Sequence, residues 1–141
     1  ADHAFKQGGD PGPMLDQAIR HLTRGVQTMP DNISAHNNLG NALLSLAEYA
    51  PKQGRDPAPH AEQAIAAFRR ALALRPDYAL PHYNIAYAMR IVAEDRARRG
   101  LDASAQWKTA REELDAYDRL APGDPDSRDL REKIERAASG I

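Results

Sequence analysis

Between Ile33 and Ala50 the apolar and small residues fall at Ala35, Leu39, Ala42, Leu43, Leu46, Ala47 and Ala50. That i, i+3, i+4, i+7 spacing draws one stripe along a helix of 3.6 residues per turn and leaves the polar residues on the other faces. A second stripe, Ala61, Ala64, Ile65, Phe68, Ala71, Leu72 and Leu74, runs to Pro76. Between the stripes Pro51 ends or kinks the first helix, because proline lacks the backbone donor and crowds the preceding turn. Lys52 to Arg55, with Gly54, form a short connection. Asp56-Pro57 then reads as a helix start, a carboxylate at the N-cap and proline at the first helical position. Asn32 or Asp31 caps the first helix. The pattern predicts a helical hairpin.

The hairpin recurs. Pro30, Pro76 and Pro122 stand 46 residues apart, and so do Ala18, Ala64 and Ala110, Leu22, Phe68 and Leu114, Gly8, Gly54 and Gly100, and Asp10, Asp56 and Asp102. A fixed period of this size marks stacked units, each covering its neighbour's apolar face. The third unit repeats the plan, with a helix from Pro81 to about Arg99, a break at Gly100-Leu101-Asp102 and a helix through Leu120. Ala97 stands where Pro51 stands one period earlier, so this first helix is predicted to run on toward Gly100. A last helix, Pro125 to about Ala138, has Leu130 and Ile134 as apolar anchors among many charges. That suits a capping helix with a polar outer face, the alternative being a frayed tail.

These observations predict an all-α solenoid of antiparallel hairpins in one domain: a partial first repeat over 1–30, a second over 31–76, a third over 77–122 and a capping helix over 123–141. Ala1 shares register with Ala47 and Ala93, near the end of a first helix. The expectation is therefore a piece of a longer protein. Its 14–29 helix would lack upstream cover and invite self-association, a homodimer through that face.

His36-x₂-Leu39-Gly40-x₂-Leu43, then Ala64-x₃-Phe68, Ala71 and Pro76, form the motif of the second unit. His82-x₂-Ile85-Ala86-x₂-Met89, then Ala110-x₃-Leu114 and Pro122, form that of the third. They resemble the tetratricopeptide repeat, whose pattern runs W-x₂-L-G-x₂-Y, A-x₃-F, P. Small residues at Gly40, Ala86, Ala64, Ala110 and Ala71 sit where two helices approach too closely for a large side chain. Histidine takes the usual tryptophan position, and Tyr117 takes the small position held by Gly25 and Ala71. Units here carry about 12 residues more than the usual ~34, all between Gly40 and Ala64 and between Ala86 and Ala110. Long units of this kind resemble the repeat regions attached to some bacterial serine/threonine protein kinases.

The resemblance implies a right-handed superhelix whose concave groove is lined by the first helix of each unit. Carried over by position, it implies Ser34, Asn37, Asn38, Asn41, Leu44 and Ser45, then Leu80, Tyr83, Asn84, Tyr87, Arg90 and Ile91, with Lys133 and Arg136 from the final helix. Asn38, Asn41 and Asn84 are amides able to hold an extended peptide backbone, since they donate and accept. Tyr83 and Tyr87 are aromatic anchors, and Arg90 with Arg136 suits a carboxylate. The implied role is a peptide-binding scaffold. The alternative is a structural spacer or self-association segment.

Composition adds exclusions. Hydrophobic residues make up 42% and charged residues 28%, as in ordinary globular chains. The net charge of −1 gives no long-range field for nucleic acid or an anionic membrane, and no apolar run is long enough to cross a bilayer. Cysteine is absent, which removes disulfides and thiolate metal sites. Lysine occurs only at 6, 52, 108 and 133 against 15 arginines, a bias that hints at a GC-rich bacterial genome. The compartment is open, with the cytoplasm favoured. Asp10, Asp56 and Asp102 read as caps rather than a metal loop, and His36 and His82 as packing residues. His3, His21 and His60 lack metal-ligand spacing. Gly8 to Gly12 lacks the lysine and hydroxyl of a phosphate loop. No cofactor, metal or catalytic constellation is expected, so the chain reads as a non-enzyme.

Overall fold

Among the described residues, each proline or left-handed glycine falls at the edge of a helix. In the computed structural model, which describes residues 10–140, α1 spans Gly12–Thr28, α2 Ile33–Tyr49, α3 Ala58–Leu74, α4 Leu80–Arg98, α5 Ser104–Leu120 and α6 Pro125–Ala138. No strand occurs among the described residues. Ala1 to Gly9 of the expected first repeat, and Ile141, lie outside them.

The predicted breaks have the predicted chemistry. Pro51 converts the end of α2 into a 3₁₀ turn, Ala50–Gln53, closed by Gly54 at φ 70°. One period later Ala97 permits helix, and α4 runs to Arg98 before Gly100 turns at φ 73°. The three in-register aspartates act alike: Asp10, Asp56 and Asp102 each accept from the amide two residues on, at 2.8, 2.9 and 2.9 Å. They satisfy an orphan donor at each helix start. α3 begins at Ala58, one residue later than the expected proline. Asn32 caps α2, accepting from the Ala35 amide at 3.0 Å.

The apolar stripes meet in three clusters. Leu43, Ala64, Phe68 and Ile85 join α2, α3 and α4, with Ala47, Ala61 and Ala88 packed beside them. Ala86, Trp107, Ala110, Leu114, Leu130 and Ile134 join α4, α5 and α6. Each fully buried large side chain contributes roughly 1.5–3 kcal/mol. α6 therefore docks as the capping helix, with Ile134 fully buried and Leu130 nearly so. α1 is the weak member: Leu15 is its one buried residue, and Met14 and Met29 are exposed.

Each helix packs on its neighbour in sequence. Beyond that, the first helices of successive hairpins touch, α2 with α4 and α4 with α6, whereas the second helices α1, α3 and α5 make at most marginal contact with one another. The stack therefore bends with α2, α4 and α6 on its inner side. This is an α-solenoid of helical hairpins.

Candidate functional site

The inner groove is built from the facing sides of α2 and α4, whose linked residues stand 43 and 39 positions apart. Asn84 Nδ2 donates to Asn41 Oδ1 at 3.2 Å, tying the two helices through their amides. Asn38 lies exposed on the turn before Asn41. Tyr87 donates its hydroxyl to Glu48 Oε1 at 2.7 Å, a second link from α4 to α2. Arg90 Nε donates to Glu94 Oε1 at 2.6 Å, one helical turn along the same face. Beyond these side chains opens a cleft of about 360 Å³, walled by Tyr87, Ile91 and Pro51 and rimmed by Glu48, Lys52, Arg90, Glu94 and Arg98.

Two tyrosines report the local field. Burial first, then the hydrogen bond to Glu48, pushes the Tyr87 phenol up to about 12. Tyr83 is also raised, by burial and then by the charges of Asp126, Asp124 and Asp129 at the start of α6. Its ring lies 5.5 Å from that of Tyr117, tilted by 56°, a favourable aromatic contact. The groove is thus negative beside Tyr83 and carries cations at the Lys52–Arg98 end.

Of the residues expected in the groove, Asn41, Asn84, Tyr87 and Arg90 share one face with Asn38 and Tyr83 beside them. Asn37 departs from expectation. It is buried, 8% exposed, and its Oδ1 is buried without a hydrogen-bond partner. Its register equivalent Tyr83 is half-buried beside Tyr117, whereas Asn37 is covered and offers almost no surface to a ligand. Arg136 is exposed on the last turn of α6, and no hydrogen bond or ion pair joins it to the others. Arg90 is held by Glu94 rather than teamed with Arg136. Glu48, Glu94, Lys52 and Arg98 were not among the expected groove residues. The period carried the signal, since Glu48 and Glu94 are one repeat apart, as are Lys52 and Arg98.

Residues 61–89, which cover most of α3 and the first half of α4, match the family model described as TPR repeat. No curated protein sequence matches the chain. Among solved structures the chain is similar to the first TPR of Spaghetti (RPAP3) bound to the HSP90 peptide SRMEEVD, at a TM-score of 0.65 and 20% identity. The match covers 98% of this chain and 86% of that one. At this identity the likeness is one of fold. No helix among the described residues is long and apolar enough to cross a membrane.

Proposed function

We propose that the chain is a non-catalytic interaction module that holds an extended peptide segment of a partner protein in the inner groove. The Asn41–Asn84 pair carries this reading. An amide can donate two hydrogen bonds through its nitrogen and accept two at its oxygen. The pair spends one donor and one acceptor site, so Asn41 keeps its NH₂ and Asn84 keeps its carbonyl. Side by side across two helices, they offer a donor and an acceptor to a peptide unit. Tyr87 and Ile91 supply the apolar wall that anchors a side chain. Lys52, without an ion pair among the described residues, and Arg98 attract an acidic residue at that end of the cleft. The similar solved structure holds a peptide, which supports a peptide as the ligand class.

The 46-residue units are read as a long variant of the repeat, of the type attached to some bacterial serine/threonine kinases, in a bacterial parent protein. The composition, 15 arginines to four lysines, supports the bacterial origin. Self-association is the second reading, favoured by the exposed Met14 and Met29 on a helix with one buried residue. Sedimentation at low protein concentration separates the two: a monomer that captures peptide rejects the second.

The test is selection of peptides from a displayed random library, followed by calorimetry on the protein and on N38A/N84A/R90A. Loss of two or three hydrogen bonds of ~1 kcal/mol each predicts affinity reduced roughly 30- to 150-fold. Undiminished affinity in a folded triple variant refutes the groove.

A further inference from the structure

We infer that the outer groove between α1 and α3, floored by α2, is a second docking site. Its ligand is an amphipathic helix of a partner protein that brings apolar side chains, one carboxylate and one hydroxyl or amide. The site lies on the opposite side of the solenoid from the peptide groove and does not depend on it.

The period supplies an internal control. In the next interval, between α3 and α5, the equivalent space is occupied by the chain itself. Glu113, on α5, accepts from Arg69 of α3 at 2.9 Å and from His82 Nδ1 of α4 at 2.6 Å. One period earlier the same three places hold Thr23, Ala67 and His36. No carboxylate reaches in, and no arginine crosses the gap. What remains is an open cleft of about 470 Å³. Ile19 and Val26 wall it on α1, and Leu39 and Leu43 form its floor on α2.

Its polar groups indicate what it takes. His36 is 5% exposed and bonds through Nε2 to the Pro30 carbonyl at 2.7 Å. A carbonyl only accepts, so Nε2 carries a proton, and Nδ1 makes no hydrogen bond within the chain. His82 uses its other ring nitrogen, Nδ1, because Glu113 is there to receive it. At the rim stands Arg70, which lines the cleft and has no ion pair among the described residues. No acidic residue lines the cleft. An apolar floor, an unanswered guanidinium and a ring nitrogen with no partner in the chain call for leucine-sized side chains, a carboxylate and a hydroxyl or amide. A trough flanked by two helices over a third presents these groups along one line, the arrangement that receives the apolar face of a helix.

The probe is a designed alanine-based helical peptide with leucines at i, i+4 and i+7, one flanking glutamate and one serine. Fluorescence anisotropy gives its affinity, and methyl NMR locates it. Binding should shift the methyls of Ile19, Val26, Leu39 and Leu43. Affinity should fall about fivefold when the peptide's glutamate becomes glutamine or when Arg70→Gln is introduced, as for a partly exposed ion pair. T23R/A67E recreates the arginine–glutamate–histidine bridge of the next interval and should reduce binding at least tenfold. Ala66→Arg, at an exposed position on the rim, should do the same without touching the core, so the test survives if the double variant fails to fold. N38A/N84A/R90A should bind this probe unchanged, which separates failure here from failure of the peptide groove. The proposal is overturned if the probe does not bind, if Ala66→Arg binds as well as the parent, if the shifts fall on the inner groove, or if sedimentation shows the cleft covered by a second copy.

Discussion

Gly40 lies so close to Phe68 that a Cβ added at residue 40 would sit 2.6 Å from the ring's Cε1. The ring is fully buried and has nowhere to go. One period later the same contact pairs Ala86 with Leu114, a larger residue against a smaller one. Gly40→Ala should gain about 1 kcal/mol of helix propensity and lose about 1–3 kcal/mol to overpacking, a net destabilisation. The G40A/F68L pair copies the next interval and should be more stable than the sum of its single changes by about 1 kcal/mol. Urea unfolding of the four proteins measures this. Strict additivity would mean that the two residues do not share the space.

Glu113 is the hinge of a network that joins α3, α4 and α5, and its side chain is 10% exposed while that of Arg69 is 51% exposed. The energies should be unequal. Glu113→Ala removes a charged acceptor from two donors and should cost about 1.5–3 kcal/mol. Arg69→Ala removes a half-exposed partner and should cost less than about 1 kcal/mol. Equal losses in thermal or urea unfolding contradict this ranking.

Tyr117 donates its hydroxyl to Asp124, the N-cap of α6. That bond, followed by burial, holds the Tyr117 phenol at about 12, and it holds the Asp124 carboxyl below its usual range. The phenol of the unfolded chain ionises near 10. Its contribution to stability is therefore whole below about pH 10 and is lost as pH rises toward 12. Tyr87, also held at about 12, acts in the same direction. Tyr117→Phe should lower stability near neutral pH by about 1 kcal/mol and flatten the decline between pH 10 and 12. The urea midpoint followed against pH checks it. An unchanged alkaline slope speaks against the bond.

Ile134 separates a docked cap from a loose tail. It is fully buried against α4 and α5, so Ile134→Ala should cost about 2–4 kcal/mol. Exchange of the α5 amides should accelerate with it. A loss below about 0.5 kcal/mol, the range of surface substitutions, would mean that α6 contributes no core.

The repetition made the architecture legible. Position 56 predicts position 102 because a cap needs the same residue at the same place, and the small residues at Gly40 and Ala86 announce close helix crossings. The charged rim of the groove was equally periodic in Glu48/Glu94 and Lys52/Arg98, yet at helical spacing such pairs look like any solvated face. The Arg69–His82–Glu113 network was hidden for the opposite reason. It has no counterpart one period earlier, so nothing in the register pointed to it. Asn37 followed the groove positions by register, but whether a side chain emerges depends on what its neighbours cover, since the same amide at Asn38 is exposed. Only packing shows that.

The most direct test of the peptide groove is NMR of the side-chain amides of Asn41 and Asn84 and the Nε–H of Arg90, titrated with a peptide selected from a displayed library. These signals should move together on binding, with those of His82 and Arg69 on the outer side unchanged. A peptide that binds while the Asn41 and Asn84 amides stay still contradicts the assignment of the inner groove.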